Sequence, residues 1–258
     1  MVDMITDFKE KKLVEYLTNG AKVLIRFGHG FGDTQMFMPV FERLRELYSK
    51  VHFDLYLECG QEEIFESYPN KDSEEHDLIF SLDFPMAEGT EFTKSQKCCV
   101  DEIGIEPISE TVVLPKKESP FVAIHLQGTA LPDSVGCPQN IAEAIWFEVI
   151  EFGKIPIECH FHHVFHNPVN VKHNVIDRHV RNCKASLDNL IGLIQSSHAF
   201  IGVASGPLIT ALSVFPEKVL YLEKLHKLKA YTKINVSTIN LLIPYKEGTV
   251  SAWLKGLG

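Results

Sequence analysis

Hydrophobic and polar positions in the first half of the chain alternate between short apolar runs and one segment with a helical period. Apolar runs at 21–27, 51–58 and 76–82 predict buried strands. Between the first two, apolar residues recur every three or four positions over 33–48, which predicts an amphipathic helix. Strand, helix and strand at this spacing predict a βαβ unit with parallel strands and a right-handed crossover.

The same pattern restarts after a polar, proline-bearing stretch at 104–120, which we interpret as a linker. An amphipathic helix is also predicted at the start of the chain, over 7–17. In the second half the pattern predicts strands at 121–128, 155–161, 199–203 and 218–223, and helices at 141–152, 187–195, 208–214 and around Trp253 and Leu254. The expected fold class is therefore α/β, with Rossmann-like domains at residues 1–115 and 116–258.

Composition narrows the class of protein. Of 258 residues, 45% are hydrophobic and 23% charged, as in soluble globular chains. The net charge of −9 argues against nonspecific binding to nucleic acid or to an anionic membrane. No run approaches the roughly 20 apolar residues of a membrane span, and the N-terminus has no apolar signal core, so we expect a cytoplasmic protein. The six cysteines form no CxxC pair and are expected to be free thiols.

The stretch "FGHGFGD" joins the first strand to the first helix and holds Gly28, Gly30 and Gly32. A dinucleotide fingerprint, G-x-G-x-x-G, would need a third glycine where Asp33 stands, which disfavours a nicotinamide site. Asp33 has two interpretations. It is a helix cap, or it is a general base at the carboxyl edge of a parallel sheet, where open α/β folds bind their ligands.

The run "RFGHGFGDTQMFMPVFERLRELYSKVHFDLYL" resembles the opening of heptosyltransferase-like enzymes of glycosyltransferase family 9. The later run "LDNLIGLIQSSHAFIGVASGPLITALSVFPEKVLYL" is similar to the donor-domain segment of that family. The resemblance covers most of the chain and implies the GT-B fold, two Rossmann-like domains facing across a cleft. It implies that Asp33 is the general base and that the acceptor is bound by the residues around the glycine loop, namely Arg26, Gly28, His29, Gly30, Phe31, Gly32 and Thr34.

The turn "ASGP" is the candidate donor site. Ser205, Gly206 and the N–H groups of the following helix can hold a diphosphate, and Pro207 suits the first helical turn. An ordinary strand-to-helix turn capped by Ser205 is the structural alternative. With the resemblance, the expected donor-binding residues are Gln127, Gly128, His162, Ser205, Gly206, Pro207 and Glu223, with Tyr221 as a further contact to base or ribose.

The chain departs from the family at this turn. Family members commonly show D-[ST]-G-x-x-H, whereas Ala204 and Ile209 stand at the aspartate and histidine positions here. The loop at 127–140 contains no Lys or Arg, so diphosphate charge would rest on backbone N–H groups or on Lys224, Lys227, Lys229 or Arg26. A noncatalytic nucleotide-sugar-binding protein therefore stays open as an alternative, and a Rossmann oxidoreductase is a weaker one.

The stretch "ECHFHHVFHNP" contains Cys159, His160, His162, His163 and His166. Imidazole and thiolate are ligands for zinc or iron, but the spacing matches no established metal motif. Contacts to the donor and a polar loop without special function are the other interpretations. Our hypothesis is an inverting glycosyltransferase that uses no metal or other cofactor and binds a nucleotide sugar and a soluble acceptor, with no membrane anchor or nucleic acid as partner.

Overall fold

The computed structural model describes residues 3–5, 11–57, 75–85, 87, 89–109, 119–126, 136–160, 180–182, 187–224 and 227–257. The chain divides into two compact units. The first comprises Met1–Glu110 with Lys229–Lys233, and the second comprises Thr111–Leu228 with Ile234–Gly258. The boundary predicted near residue 115 lies outside the described residues and stays a prediction.

The first unit contains a four-stranded parallel sheet. Its strands are β1 (Asp3–Ile5), β2 (Lys22–Phe27), β3 (His52–Leu57) and β4 (Leu78–Leu82), in the order β1-β4-β2-β3. Strands β2 and β3 pair in parallel from Lys22 opposite His52 to Phe27 opposite Leu57, which confirms the predicted βαβ unit. Strand β1 was not predicted. The predicted opening helix is wrong in its described part, where Leu13–Tyr16 forms a single 3-10 turn.

Helix α1 (Phe31–Leu47) connects β2 to β3. It begins at Phe31, two residues before the predicted start, and Gly30 is its N-cap residue. Burial of Phe31, which is 8% exposed, outweighs the poor helix propensity of Gly32 in the first turn. The buried face includes Phe37, Val40, Phe41 and Leu44, whereas Leu47, whose spacing from Leu44 also places it near this face, is 46% exposed.

After β4, the short helix α2 (Lys94–Lys97) begins at a capping box in which Thr93 and Gln96 bond each other's backbone N–H groups. It continues as a π-helical stretch, Cys98–Ile103, that ends at Gly104 with a φ of 91°. A Cβ at Gly104 would lie 2.9 Å from Val14, so glycine is required there both for its dihedral angle and for space. This helical segment was not predicted, since it is short and largely polar.

The second unit contains a six-stranded parallel sheet. Its strands are β5 (Phe121–His125), β6 (Ile155–His160), β7 (Val180–Asn182), β8 (Ala199–Gly202), β9 (Val219–Glu223) and β10 (Ser237–Asn240). The order is β7-β6-β5-β8-β9-β10, so the chain winds outward from β5 to one edge and then from β8 to the other. This is the order of a doubly wound Rossmann sheet, whose direction reverses between β5 and β8.

The described α-helices of the second unit are α3 (Gln139–Glu151), α4 (Leu187–Gln195), α5 (Gly206–Val214) and α6 (Thr249–Gly256). The core of this unit places Ile145, Trp146 and Val149 of α3 against Val122 and Ile124 of β5. Helices α4 and α6 agree with the predicted ones, and α3 and α5 each begin two residues earlier than predicted. The expected fold class, α/β with two parallel sheets flanked by helices, is confirmed.

Two further expectations concern cysteines and membrane spans. Four cysteines are free thiols, as expected, and are also buried: Cys98, Cys99, Cys137 and Cys159. Cys59 and Cys183 lie outside the described residues. Among the helices that the structure describes, none has the length and apolar character needed to cross a membrane.

Candidate functional site

The first sheet changes winding direction between β2 and β4, which are neighbours in space. The loop after β2 carries Gly28, His29 and Gly30, and the loop after β4 carries Asp83 and Phe84. Ligands of open parallel sheets bind at the carboxyl ends of the strands, at such a switch point. The predicted glycine loop therefore lies where the fold is expected to present a ligand site.

Asp33 is the third residue of α1 and does not act as its N-cap, because Gly30 takes that position. Its Oδ1 atom accepts a hydrogen bond of 2.8 Å from Nζ of Lys94 at the start of α2. The two side chains are partly accessible, with 23% of Asp33 and 13% of Lys94 exposed. In the described part of the chain, Oδ2 of Asp33 accepts no hydrogen bond, since its neighbour Nδ1 of His29 is 3.8 Å away.

His29 connects the two loops. Its Nε2 atom lies 3.0 Å from the backbone nitrogen of Phe84, which donates to it, and 3.1 Å from Oδ1 of Asp83. When Nε2 accepts the bond from Phe84, the ring proton of neutral His29 is on Nδ1, the atom that faces Asp33. The imidazole ring also packs against Phe27, with the ring centroids 4.7 Å apart. His29 is thus fixed between the two strand ends.

The other residues of the predicted acceptor site have different surroundings. Gly28 and Gly30 are exposed and Gly32 is partly buried, whereas Phe31 is buried. Thr34 is 1% exposed and its hydroxyl donates to the carbonyl of Gly30, so it supports the loop from inside. The guanidinium of Arg26 lies over the ring of Tyr56 on the neighbouring strand β3, 5.3 Å from its centroid.

The second sheet has its switch point between β5 and β8. Ser205 is the N-cap residue of α5, but its hydroxyl donates back to the carbonyl of Val203 at 3.0 Å and does not cap the helix. Pro207 lies in the first turn and is buried. Gly202, at the end of β8, has no room for a side chain, because a Cβ there would lie 2.6 Å from the ring of Phe200. Glycine is therefore required at the end of β8 for lack of space.

Charged residues near this switch point come from the end of β9. Glu223 is partly buried and its carbonyl accepts a bond from the N–H of Leu241. The Lys224 ammonium interacts with the Cys137 thiol just before α3, although burial dominates and raises the pKa of Cys137 to about 12. Tyr221 is fully buried in the core, so it does not face an open site.

Several predicted donor residues lie outside the described part of the chain, namely Gln127, Gly128 and His162. The same holds for His163 and His166, and for the side chain of His160. Among the residues that the structure does describe, no three His, Cys, Asp or Glu side chains are grouped as metal ligands would be. The three interpretations of the histidine stretch stay open.

Comparison with solved structures bears on the fold of the chain. E. coli heptosyltransferase WaaC with ADP matches with a TM-score of 0.62 and 10% identity over 92% of this chain and 100% of that chain. The iron-containing dodecameric glycosyltransferase TibC from enterotoxigenic E. coli H10407 matches with a TM-score of 0.61 and 13% identity over 93% of this chain and 75% of that one. This chain has the heptosyltransferase fold.

E. coli ADP-heptose lps heptosyltransferase II gives a similar result, with a TM-score of 0.60 and 12% identity over 92% of this chain and 98% of that chain. Neither a protein-family model nor a curated protein matches the sequence. The resemblance to heptosyltransferase-like enzymes is therefore confirmed as a likeness of fold, across nearly the whole chain.

Sequence reasoning found Asp33 and the loop but missed Lys94, Asp83 and Phe84. Lys94 is 61 residues from Asp33 along the chain, in a segment for which no helix was predicted. The available signal was the capping box formed by Thr93 and Gln96, which marks a helix start immediately before Lys94. Nothing in the spacing of the sequence pairs that lysine with Asp33.

Proposed function

We propose that the protein is an inverting glycosyltransferase that moves a heptose or hexose from a nucleoside-diphosphate sugar to an acceptor hydroxyl, with Asp33 as the general base. The observation that carries this proposal is the carboxylate of Asp33 at the switch point of the first sheet, with Oδ1 bound by Lys94 and with no hydrogen bond to Oδ2 from the residues that the structure describes. The heptosyltransferase fold supplies the reaction class.

In the proposed reaction, the acceptor hydroxyl gives its proton to Oδ2 of Asp33 while its oxygen attacks the anomeric carbon of the donor. The bond between that carbon and the diphosphate oxygen breaks, and the nucleoside diphosphate leaves with the electron pair. Attack opposite the leaving group inverts the anomeric configuration. The exposed glycines Gly28 and Gly30 give the acceptor access to the loop beside Asp33.

The donor is assigned to the switch point of the second sheet. The N-terminus of α5 after Ser205 presents the positive end of a helix dipole, and Lys224 follows the parallel neighbouring strand β9 at the same edge of the sheet. These groups stabilise the developing charge of the leaving diphosphate without a metal ion. Because the fold is shared with E. coli WaaC, described with ADP, and with an ADP-heptose heptosyltransferase, we infer an adenosine diphosphate sugar as donor.

The test combines binding with turnover. Purified protein is first screened by thermal shift with ADP-, UDP-, GDP- and CDP-sugars, the free nucleotides and NAD(P), since a ligand at a hundred times its Kd adds about 2.7 kcal/mol of stability. Release of nucleoside diphosphate is then measured with a panel of saccharide acceptors. Loss of a general base typically costs 10²- to 10⁴-fold, so Asp33→Asn is expected to lower kcat by roughly that factor without loss of donor binding.

The chain offers a matched control for this substitution. Asp101 also forms an ion pair with a lysine of α2, Lys97, but it belongs to the π-helical stretch after α2 and not to the first turn of α1. Asp101→Asn is expected to keep kcat within twofold of the unsubstituted protein. Nucleotide-sugar binding without turnover would favour the noncatalytic alternative, and a response to NAD(P) alone would favour the oxidoreductase. Turnover that is unchanged by a chelator would support transfer without a metal.

A further inference from the structure

Lys94 is held more firmly than an ordinary surface lysine. Its ammonium lies 5.7 Å from the ring centroid of Phe84 and 5.5 Å from that of Tyr231, in addition to its bond with Asp33. Only 13% of the side chain is exposed. Cation–π contacts of this kind are worth about 0.5–1 kcal/mol each when exposed and more when desolvated, so together with the ion pair they restrict the ammonium to one position.

The backbone on both sides of this ion pair is also fixed. The hydroxyl of Ser95, next to Lys94, donates to the carbonyl of Met36 at 2.9 Å, which joins α2 to α1 one turn beyond Asp33. Tyr231 comes from the segment Lys229–Lys233, which belongs to the first unit although it follows β9 in the chain. Lys233 anchors this segment by donating to the carbonyl of Thr90 at 3.2 Å.

We propose that Lys94, kept in place by Phe84 and Tyr231, is a positioning residue that orients the Asp33 carboxylate for catalysis. By holding Oδ1, it leaves Oδ2 as the atom that takes the acceptor proton. This inference rests on the proposed function of Asp33. A carboxylate without this partner rotates about its side-chain torsions, and a displacement of about 1 Å at a catalytic group can lower the rate by about 10²-fold.

The experiment compares Lys94→Ala with Lys97→Ala, a control in the same helix whose ammonium pairs with Asp101 instead of Asp33. We expect Lys94→Ala to lower kcat by about 10²-fold, with the KM for the nucleotide sugar changed by less than twofold. Ethylammonium added to Lys94→Ala, or the substitution Lys94→Arg, is expected to restore a tenth or more of the lost rate. Lys97→Ala is expected to keep its kcat within twofold of the unsubstituted protein.

The contribution of the aromatic ring is tested with Tyr231→Phe and Tyr231→Leu. Phenylalanine keeps the ring face and is expected to keep kcat within about threefold, whereas leucine removes it and is expected to lower kcat by about tenfold. A kcat of Lys94→Ala equal to that of the unsubstituted protein, or a loss that neither ethylammonium nor arginine restores, would overturn the positioning role. Absence of turnover in the unsubstituted protein, or full activity of Asp33→Asn, would instead overturn the proposed function on which this inference rests.

Discussion

Gly30 lies at a position where the fold does not require glycine. Its φ of −64° suits any residue, and a Cβ placed there would meet no heavy atom of the described residues within 4 Å. As the N-cap residue of α1, it occupies a position that serine fills at least as well. Under the proposed function, the acceptor would approach the loop through this open space beside the backbone of Gly30.

We predict that Gly30→Ser keeps the free energy of unfolding within about 0.5 kcal/mol, because serine is a good N-cap. The same substitution is expected to lower kcat/KM for the acceptor by about tenfold or more, since the new side chain displaces it from Asp33. Unfolding midpoints in urea and initial rates check the two halves of this prediction. Gly192→Ser on α4, another glycine with open space around it, is the control that is expected to leave activity unchanged.

Cys137 provides a prediction about pH. Burial raises the pKa of its thiol from an ordinary value of 9.0 to about 12, while Lys224 partly opposes the shift. Below pH 9 the thiol is protonated in both the folded and the unfolded state, so it adds no pH dependence to the free energy of unfolding. Above pH 9 the unfolded state loses the proton first, and the free energy of unfolding falls by about 1.4 kcal/mol per pH unit until the pH approaches 12.

With Cys137→Ala, the free energy of unfolding is therefore expected to fall less steeply between pH 9 and 10.5. The difference in slope corresponds to about one proton fewer released on unfolding. Urea unfolding at closely spaced pH values measures the slope, and the slope is compared rather than the absolute stability, which the lost packing of the thiol also changes. An unchanged slope would show that the thiol ionises in the folded protein as readily as in the unfolded chain.

At the scale of elements, Glu148 joins α3 to the end of the chain. This carboxylate is 4% exposed and accepts hydrogen bonds from the hydroxyl of Tyr245 at 2.7 Å and from the backbone N–H groups of Gly248 and Ser251, each at 2.9 Å. Gly248 is the N-cap residue of α6 and Ser251 lies in its first turn. Burial and the nearby carboxylate raise the pKa of Tyr245, so its hydroxyl stays a donor.

We predict that Glu148→Gln lowers the free energy of unfolding by about 2 kcal/mol. The amide removes the negative charge that the N-terminus of α6 stabilises and turns an N–H group toward backbone donors. Glu151→Gln, an exposed position on the same helix, is the matched control and is expected to change stability by less than about 0.5 kcal/mol. Equal midpoints for the two variants in urea would contradict a structural contribution of Glu148.

Elements with a strong apolar pattern could be predicted from the sequence. Strand β2, helix α1 and strand β3 were found because their buried positions follow the periods of a strand and a helix. Strand β10, with three of its four residues polar, and helix α2, with four polar residues, carry no such pattern. The hydrogen bond between Ser95 and Met36 and the pairing of β10 with β9 stabilise these elements through contacts distant in sequence.

The same limit applies to the candidate site. Asp33 was found because it follows a strand and a glycine loop, which are local features. Its ion pair with Lys94 and the bond from Phe84 to His29 join residues 61 and 55 positions apart, and no periodicity encodes such pairs. Sheet order decides them, because β4 lies beside β2 and brings the loop after β4 to the loop after β2.

For the whole molecule, the two parallel sheets each have a switch point, and the proposed function gives them separate tasks. The first would bind the acceptor at Asp33, and the second would bind the diphosphate of the donor at the N-terminus of α5. Substitutions at the two places should then have separable effects on binding and on turnover. Ser205 allows this to be tested without loss of the fold, because both Asp and Asn are good N-cap residues.

We predict that Ser205→Asp weakens ADP binding by about tenfold or more, because a carboxylate at the start of α5 repels the diphosphate at a cost of about 1.4 kcal/mol. Ser205→Asn has a similar shape without the charge and is expected to bind ADP within about threefold of the unsubstituted protein. Asp33→Asn is expected to keep its ADP-induced thermal shift while it loses turnover. If Ser205→Asp bound ADP normally, the donor could not be at the start of α5. If Asp33→Asn lost ADP binding, the two sheets would not divide the substrates as proposed.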